Sequence, residues 1–155
     1  MKGALPGFDR NGNLPPGVYE LRSEDMERFE ERFGWNSHRR RLLEGLRRAI
    51  KNMAAAGIGE IWIGGSFVTA KELPADIDGA WLAEGDIDVD RLDPVFLEFD
   101  PPRASMKRKY GVDFLIANQL LADPSARRGT VLAFFQTDRD GNPKGIVRLN
   151  LRQRK

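Results

Sequence analysis

Cysteine is missing from this 155-residue chain, which excludes disulfides, zinc-thiolate centres and thiol nucleophiles. Histidine occurs once, at His38, with no second His and no partner acid beside it, so it reads as a structural or exposed residue and not as a catalytic one. No run of about 18 apolar residues occurs. The opening MKGALPGFDRNGNLPPG contains neither an apolar core run nor a small-residue cleavage site. The expectation is a soluble, cytoplasmic protein. Net charge is nearly lacking as well. Lys plus Arg number 25 against 23 Asp plus Glu, a formal +2, so the overall charge is a weak pointer to nucleic acid.

What is present is a length that suits one domain with its own core, and charge that is unevenly spread. Acidic residues gather over residues 84–100, and basic ones over 39–51, 103–109 and 148–155. This asymmetry permits an anionic partner without requiring one. The first 22 residues are rich in Gly and Pro, with Asn11-Gly12 as a turn signal and Pro15-Pro16-Gly17 enforcing an extended course. They read as an N-terminal arm, leaving residues 23–155 as a single domain.

Ser23 offers an N-cap, and SEDMERFEERFG predicts a short helix that ends at Gly34. A second helix is expected from Asn36 or Ser37 to about Ala56, because Leu42, Leu43, Leu46, Ala49, Ile50 and Met53 recur at helical spacing. Arg40, Glu44 and Arg48 stand four apart on its other face and can pair with one another. Strand patterns lie at residues 60–63, 77–83 and 112–117, and IVRLNL at 146–151 alternates as a final edge strand. A helical turn is expected from Asp93, and a helix over about 125–136 behind Pro124.

The chemistry concentrates in GGSFVTAKELPADID, residues 64–78. Moving a nucleotidyl group needs a cradle for a triphosphate and carboxylates that place a divalent ion where charge builds up. Gly64 and Gly65 let backbone approach phosphate with no Cβ in the way, and Ser66 supplies a hydroxyl and an N–H where a helix is expected to begin. After nine intervening residues, Asp76 and Asp78 enter a strand two apart, so both carboxylates project from one face. Hard oxygen donors on a rigid strand suit magnesium. Asp113, an acid inside the otherwise apolar pattern over 112–117, is the candidate third carboxylate. Pairs of acids are common by themselves, as Asp86, Asp88 and Asp90 show; the order strand, Gly-Gly-Ser, short interval, acids, further acid is what singles out this set.

Residues 64–78 resemble the GS-x9-DxD signature of the nucleotidyltransferase superfamily, above all its minimal, prokaryotic, toxin–antitoxin-associated members. LPPGVYE, FGWNSHRRRLLEGL, GSFVTAKELPADIDGAW and FFQTDRDGNPKGIVRLNL together resemble a largely uncharacterised bacterial family of about this length. The resemblance implies an α/β (α+β) fold: a nucleotidyltransferase-like mixed sheet flanked by helices, with the N-terminal Pro/Gly-rich arm. It also implies that Gly65 and Ser66 contact the triphosphate and that Asp76 and Asp78 bind Mg2+. Asp113 would bind a second ion and activate an acceptor hydroxyl.

Thr69 and Lys71 follow the turn and can reach the phosphates, although an exposed helix-surface Lys is an equal reading of Lys71. Lys107, Arg108, Lys109 and Lys144 can meet a triphosphate or an RNA backbone, or lie in solvated loops. Trp62 and Trp81 belong to strands. Trp35 reads as a hydrophobic staple at a helix start or as a base-stacking residue. The expected function is Mg2+-dependent transfer of an NMP from a nucleoside triphosphate to a hydroxyl of a protein or RNA acceptor, in a toxin–antitoxin setting. The alternatives are a non-catalytic module of the same fold, acting as antitoxin or nucleotide sensor, and a plain RNA-binding domain.

Overall fold

The computed structural model describes residues 5–117 and 134–152. Among them are five strands, β1 (Val18–Arg22), β2 (Glu60–Gly64), β3 (Ile77–Trp81), β4 (Val112–Ile116) and β5 (Ile146–Asn150), and three helices, α1 (Met26–Phe33), α2 (Ser37–Ala55) and α3 (Ala104–Tyr110). The strands form one mixed sheet in the order β1-β5-β2-β3-β4. β5 runs parallel to β1 and antiparallel to β2, β2 antiparallel to β3, and β3 parallel to β4. The mixed α/β architecture expected from the sequence is the one observed.

Alternation within the strands divides the sheet into two faces. Ile61, Ile63, Ile77, Trp81, Val112, Phe114, Val147 and Leu149 point to one side and share a core with Phe29 and Phe33 of α1, Leu43, Leu46, Ala49 and Met53 of α2, and Met106 of α3. Full burial of each such side chain contributes roughly 1.5–3 kcal/mol. The three helices therefore cover this face. The opposite face carries Trp62, Ala80 and Ile146 with Phe135 packed on them, and towards one end of the strands it carries Asp78 and Asp113.

Two strand readings change. Residues 1–22 do not form an arm throughout: Val18–Arg22 is an edge strand, with Tyr19 and Leu21 turned into the core. β5 is consequently an inner strand, flanked by β1 and β2. Pro15-Pro16-Gly17 stops just short of β1, so the Pro-rich composition masked a strand whose Val-Tyr-Glu-Leu-Arg alternation is regular. The predicted helix over 125–136 lies largely outside the described residues.

α2 begins where expected, with Asn36 as N-cap accepting from the Arg39 N–H at 2.8 Å. Its charged face does not pair within itself; Arg47 bridges to Glu30 of α1, and Arg48 donates to the Lys109 carbonyl. α3 was not expected as a helix. Its last turn carries Lys107, Arg108 and Lys109, where cations are favoured by the dipole, and it stops at Gly111 with φ 69°. The turn expected from Asp93 is present as a 3-10 turn at Pro94–Leu97, with Asp93 capping the Val95 N–H.

The first turn of α2 grips the segment that links the Gly-Gly-Ser turn to the acids. Arg39 is fully buried. Its Nε donates to the Lys71 carbonyl, one terminal nitrogen to the Phe33 and Phe67 carbonyls, and the other to the Thr69 and Lys71 carbonyls, at 2.6–3.1 Å. All five guanidinium N–H donors are thus used, each on a backbone carbonyl. Trp35 covers the guanidinium, with its ring centroid 3.7 Å from Cζ, and turns its own N–H to Glu72. Trp35 is thereby a lid on Arg39. His38 meets the Pro74 carbonyl through Nε2 at 2.5 Å, and Asn36 donates to the Glu72 carbonyl.

Burial lowers the Arg39 pKa to about 10, with the Glu72 carboxylate opposing that shift and Arg32 adding to it. The side chain stays charged at neutral pH. A lysine carries a point charge without the fork. Arg39→Lys is expected to lower stability by roughly 2–4 kcal/mol, since each buried carbonyl left without a donor costs about 1–3 kcal/mol. Urea unfolding followed by circular dichroism measures this; a loss below about 0.5 kcal/mol would show that the fork is dispensable.

Candidate active site

The sheet register brings the signature residues to one end of the molecule. Gly64, the last residue of β2, stands opposite Asp78 on β3, and Asp78 stands opposite Asp113 on β4. Asp76 lies two residues before Asp78 and so falls on the same side. Oxygens of Asp76, Asp78 and Asp113 all lie within 4.8 Å of one another, close enough to share a cation. Asp113, assigned from sequence only by its place in an apolar strand, is therefore a neighbour of the other two.

The Gly-Gly-Ser segment lies directly over these acids. Gly65 has φ 64°, and a Cβ built on it would collide with the Asp78 carboxylate and lie 2.7 Å from the Asp78 Cβ. Gly64 is pressed in the same way against the Phe135 side chain. Both glycines are thus required for close approach, and a side chain at Gly65 would fill the space over Asp78. Three hard oxygen donors beside a cradle kept open by glycine have the chemistry of a divalent-cation site, and Asp76, Asp78 and Asp113 are the residues that could hold such an ion.

The expected helix after Ser66 is absent. Gly65–Val68 is a single 3-10 turn, closed by the Thr69 N–H and hydroxyl on the Ser66 carbonyl at 3.2 and 2.7 Å. Phe67 and Val68 are drawn into the core and Arg39 takes the carbonyls, so no regular helix grows. A helix macrodipole consequently does not act at Ser66, and only local N–H groups remain for an anion there. The Thr69 hydroxyl is committed to closing the turn. Lys71 serves Arg39 through its carbonyl, while its exposed amino group has no ion pair among the described residues. The structure therefore brings Gly64, Gly65, Asp76, Asp78 and Asp113 together and sets Ser66 and Thr69 in the adjoining turn, with Lys71 exposed two residues further on.

Cations answer the acids. Arg103, just before α3, donates to Asp113 through Nε at 2.5 Å and a terminal nitrogen at 3.3 Å, and Lys107 stands 3.6 Å from the same carboxylate. The Arg103 guanidinium is held above its ordinary pKa chiefly by that bond, with the charges of Asp78 and Asp76 adding to it. Sequence reasoning grouped Arg103 with a basic cluster but could not single it out, because only the return of the chain from α3 into β4 sets it against Asp113. Asn13, also unread, bridges to Thr69 and donates to Asp138, so the N-terminal segment walls the site.

The Asp78 carboxyl is pushed up to about 7, first by burial, then by the charges of Asp76 and Asp113, with Lys107 opposing. In the unfolded chain the same group titrates at its ordinary 3.8. The folded state therefore holds a proton that the unfolded state has lost between those two values. Its stabilising share is fully present below the lower value and is lost as pH rises through about 7. Without divalent ions, the thermal midpoint of Asp78→Asn is expected to change less than that of wild type as pH rises across this window. Parallel pH profiles for the two proteins would contradict the raised carboxyl.

A family model described as "Family of unknown function (DUF6932)" matches residues 6–150. No curated protein and no solved structure matches the chain. The family match spans the N-terminal segment, the acid cluster and all five strands, and on that extent the chain belongs to the DUF6932 family.

Proposed function

We propose that this protein is a Mg2+-dependent nucleotidyltransferase that moves an NMP from a nucleoside triphosphate to a hydroxyl of a protein or RNA acceptor. The observation that carries the reading is the gathering of Asp76, Asp78 and Asp113 beneath a glycine turn that only Gly65 can make so close. Bound Mg2+ would offset charge on the phosphate oxygens and orient the triphosphate. Asp76 and Asp78 would hold the ion from the N-terminal end of β3, and the Gly64–Gly65–Ser66 backbone would approach the phosphates. The acceptor oxygen attacks the α-phosphorus as the α–β bridging P–O bond breaks, and pyrophosphate leaves with the electron pair. The hydroxyl proton passes to Asp113 and then to solvent. A toxin–antitoxin setting follows from the resemblance of residues 64–78 to the minimal members of that superfamily.

A second reading, a nucleotide-binding module without transfer, is favoured by one observation: Asp113 already has Arg103 and Lys107 as partners. Such a module needs Asp76 and Asp78 for Mg2+-dependent binding but leaves the triphosphate intact.

Incubation of the protein with each α-labelled nucleoside triphosphate, Mg2+ and a cell extract or RNA pool separates the readings. Transfer of label that disappears in Asp76→Ala plus Asp78→Ala is the expected result; equal labelling by both proteins sinks the mechanism. Retention of triphosphate without transfer supports the binding module.

Gly65→Ala is expected to reduce transfer by about tenfold or more, through displacement of the turn from Asp78 by an ångström or so. Unaltered labelling by that variant would show that the close approach has no part in the reaction.

A further inference from the structure

β5 runs antiparallel to β2, with Val147 opposite Ile63, so the residues just before β5 lie beside the Gly64–Ser66 turn at the end of β2. Lys144 is two residues before β5. Strand alternation puts it on the side of Ile146, which is also the side of Asp78. Its side chain is 9% exposed. Among the described residues its ammonium has neither an ion pair nor a side-chain hydrogen bond, and only its backbone N–H is bonded, to the Gln136 carbonyl.

The neighbouring carboxylate does not answer it. Asp138 spends Oδ1 on the Asp140 and Asn142 N–H groups, and Oδ2 on the side-chain amides of Asn13 and Asn142. It ties the turn and the N-terminal segment together through neutral donors. Asp78 bears on Lys144 through its field but is not in contact with it. Burial accordingly draws the Lys144 ammonium below its ordinary pKa, with Asp138 and Asp78 only partly opposing. The Lys144 side chain is shielded along its length while Nζ still reaches solvent, and an ammonium without a contact partner beside a phosphate-type turn gains one when an anion enters.

We propose that Lys144 is a phosphate-binding residue of this site, receiving a non-bridging oxygen of a triphosphate or of leaving pyrophosphate from the side of the Gly64–Ser66 turn opposite β4. The assignment rests on the nucleotidyl-transfer reading and adds a residue to it. It also gives the two flanking cations different tasks. Arg103 is already engaged with Asp113, whereas Lys144 is kept for the incoming anion.

Inorganic tripolyphosphate in Mg2+, followed by titration calorimetry, probes the phosphate, and Mn2+ alone, followed by electron paramagnetic resonance, probes the acids. Lys144→Gln is expected to bind tripolyphosphate about tenfold or more weakly, the loss of one charge-assisted hydrogen bond, and to retain its Mn2+ affinity. Lys144→Arg should recover part of the tripolyphosphate affinity. Lys144→Met should raise the ligand-free thermal midpoint, because an unpartnered ammonium has been removed. Equal tripolyphosphate affinity in wild type and Lys144→Gln overturns the assignment. So does a wild type that takes up Mn2+ but not tripolyphosphate, and so does Lys144→Met if it melts lower while binding tripolyphosphate unchanged. Mn2+ uptake by Asp78→Asn equal to that of wild type defeats the metal reading instead, whatever Lys144 does.

Discussion

A buried guanidinium has five N–H groups to satisfy, and in this protein Arg39 satisfies them all on backbone carbonyls. That requirement shapes the stretch from Phe67 to Lys71. Carbonyls that a helix would have used internally are turned to the buried Arg39, so the chain after Ser66 makes one 3-10 turn and then runs through turns and bends to β3. Asn36 and His38 take the next carbonyls along, at Glu72 and Pro74. The first turn of α2 thus dictates the path by which the glycine turn and the acids return to each other. Since α2 itself is anchored in the core through Leu43, Leu46, Ala49 and Met53, the position of the site is tied to the largest apolar cluster in the molecule.

Electrostatically the acid end is built from mutual opposition. Three carboxylates crowd one end of the neighbouring strands β3 and β4, and burial together with that crowding keeps Asp78 protonated up to near neutral pH. Arg103 and Lys107 neutralise one flank through Asp113. On the other flank Lys144 is close enough to be felt and too far to pair. Such an arrangement is poorly satisfied in isolation: like charges and burial disfavour the ionised form of Asp78, and the Lys144 ammonium lacks an anion. A divalent cation bridged to phosphate would relieve both at once, which is the physical content of the nucleotide-site reading.

Much of this was legible along the chain. Short apolar runs at EIWI, IDGAWLA and VDFLIA and the alternation of IVRLNL marked four strands, and the Asn36 cap with its apolar stripe marked α2 to within a residue or so. Residues 64–78 announced their spacing directly. β1 was obscured by the Pro and Gly before it, and α3 by a basic run that reads equally well as loop. Arg39 looked like one more member of the basic run over 39–51; nothing local distinguishes an arginine that points to solvent from one whose acceptors include the carbonyls of Phe67, Thr69 and Lys71, since burial depends on which surface packs over it.

The sequence by itself determined the local elements and the chemical inventory: strands by alternation, α2 by its period and cap, and three acids with a glycine turn at defined spacings. Only the tertiary structure decided which of these meet. The β2-β3-β4 register set Gly64, Asp78 and Asp113 side by side, the return from α3 brought Arg103 onto Asp113, and the insertion of β5 between β1 and β2 set the start of β5 beside the end of β2. Each of these contacts joins residues far apart along the chain, and their proximity is fixed by strand pairing and core packing, which no short stretch of sequence contains.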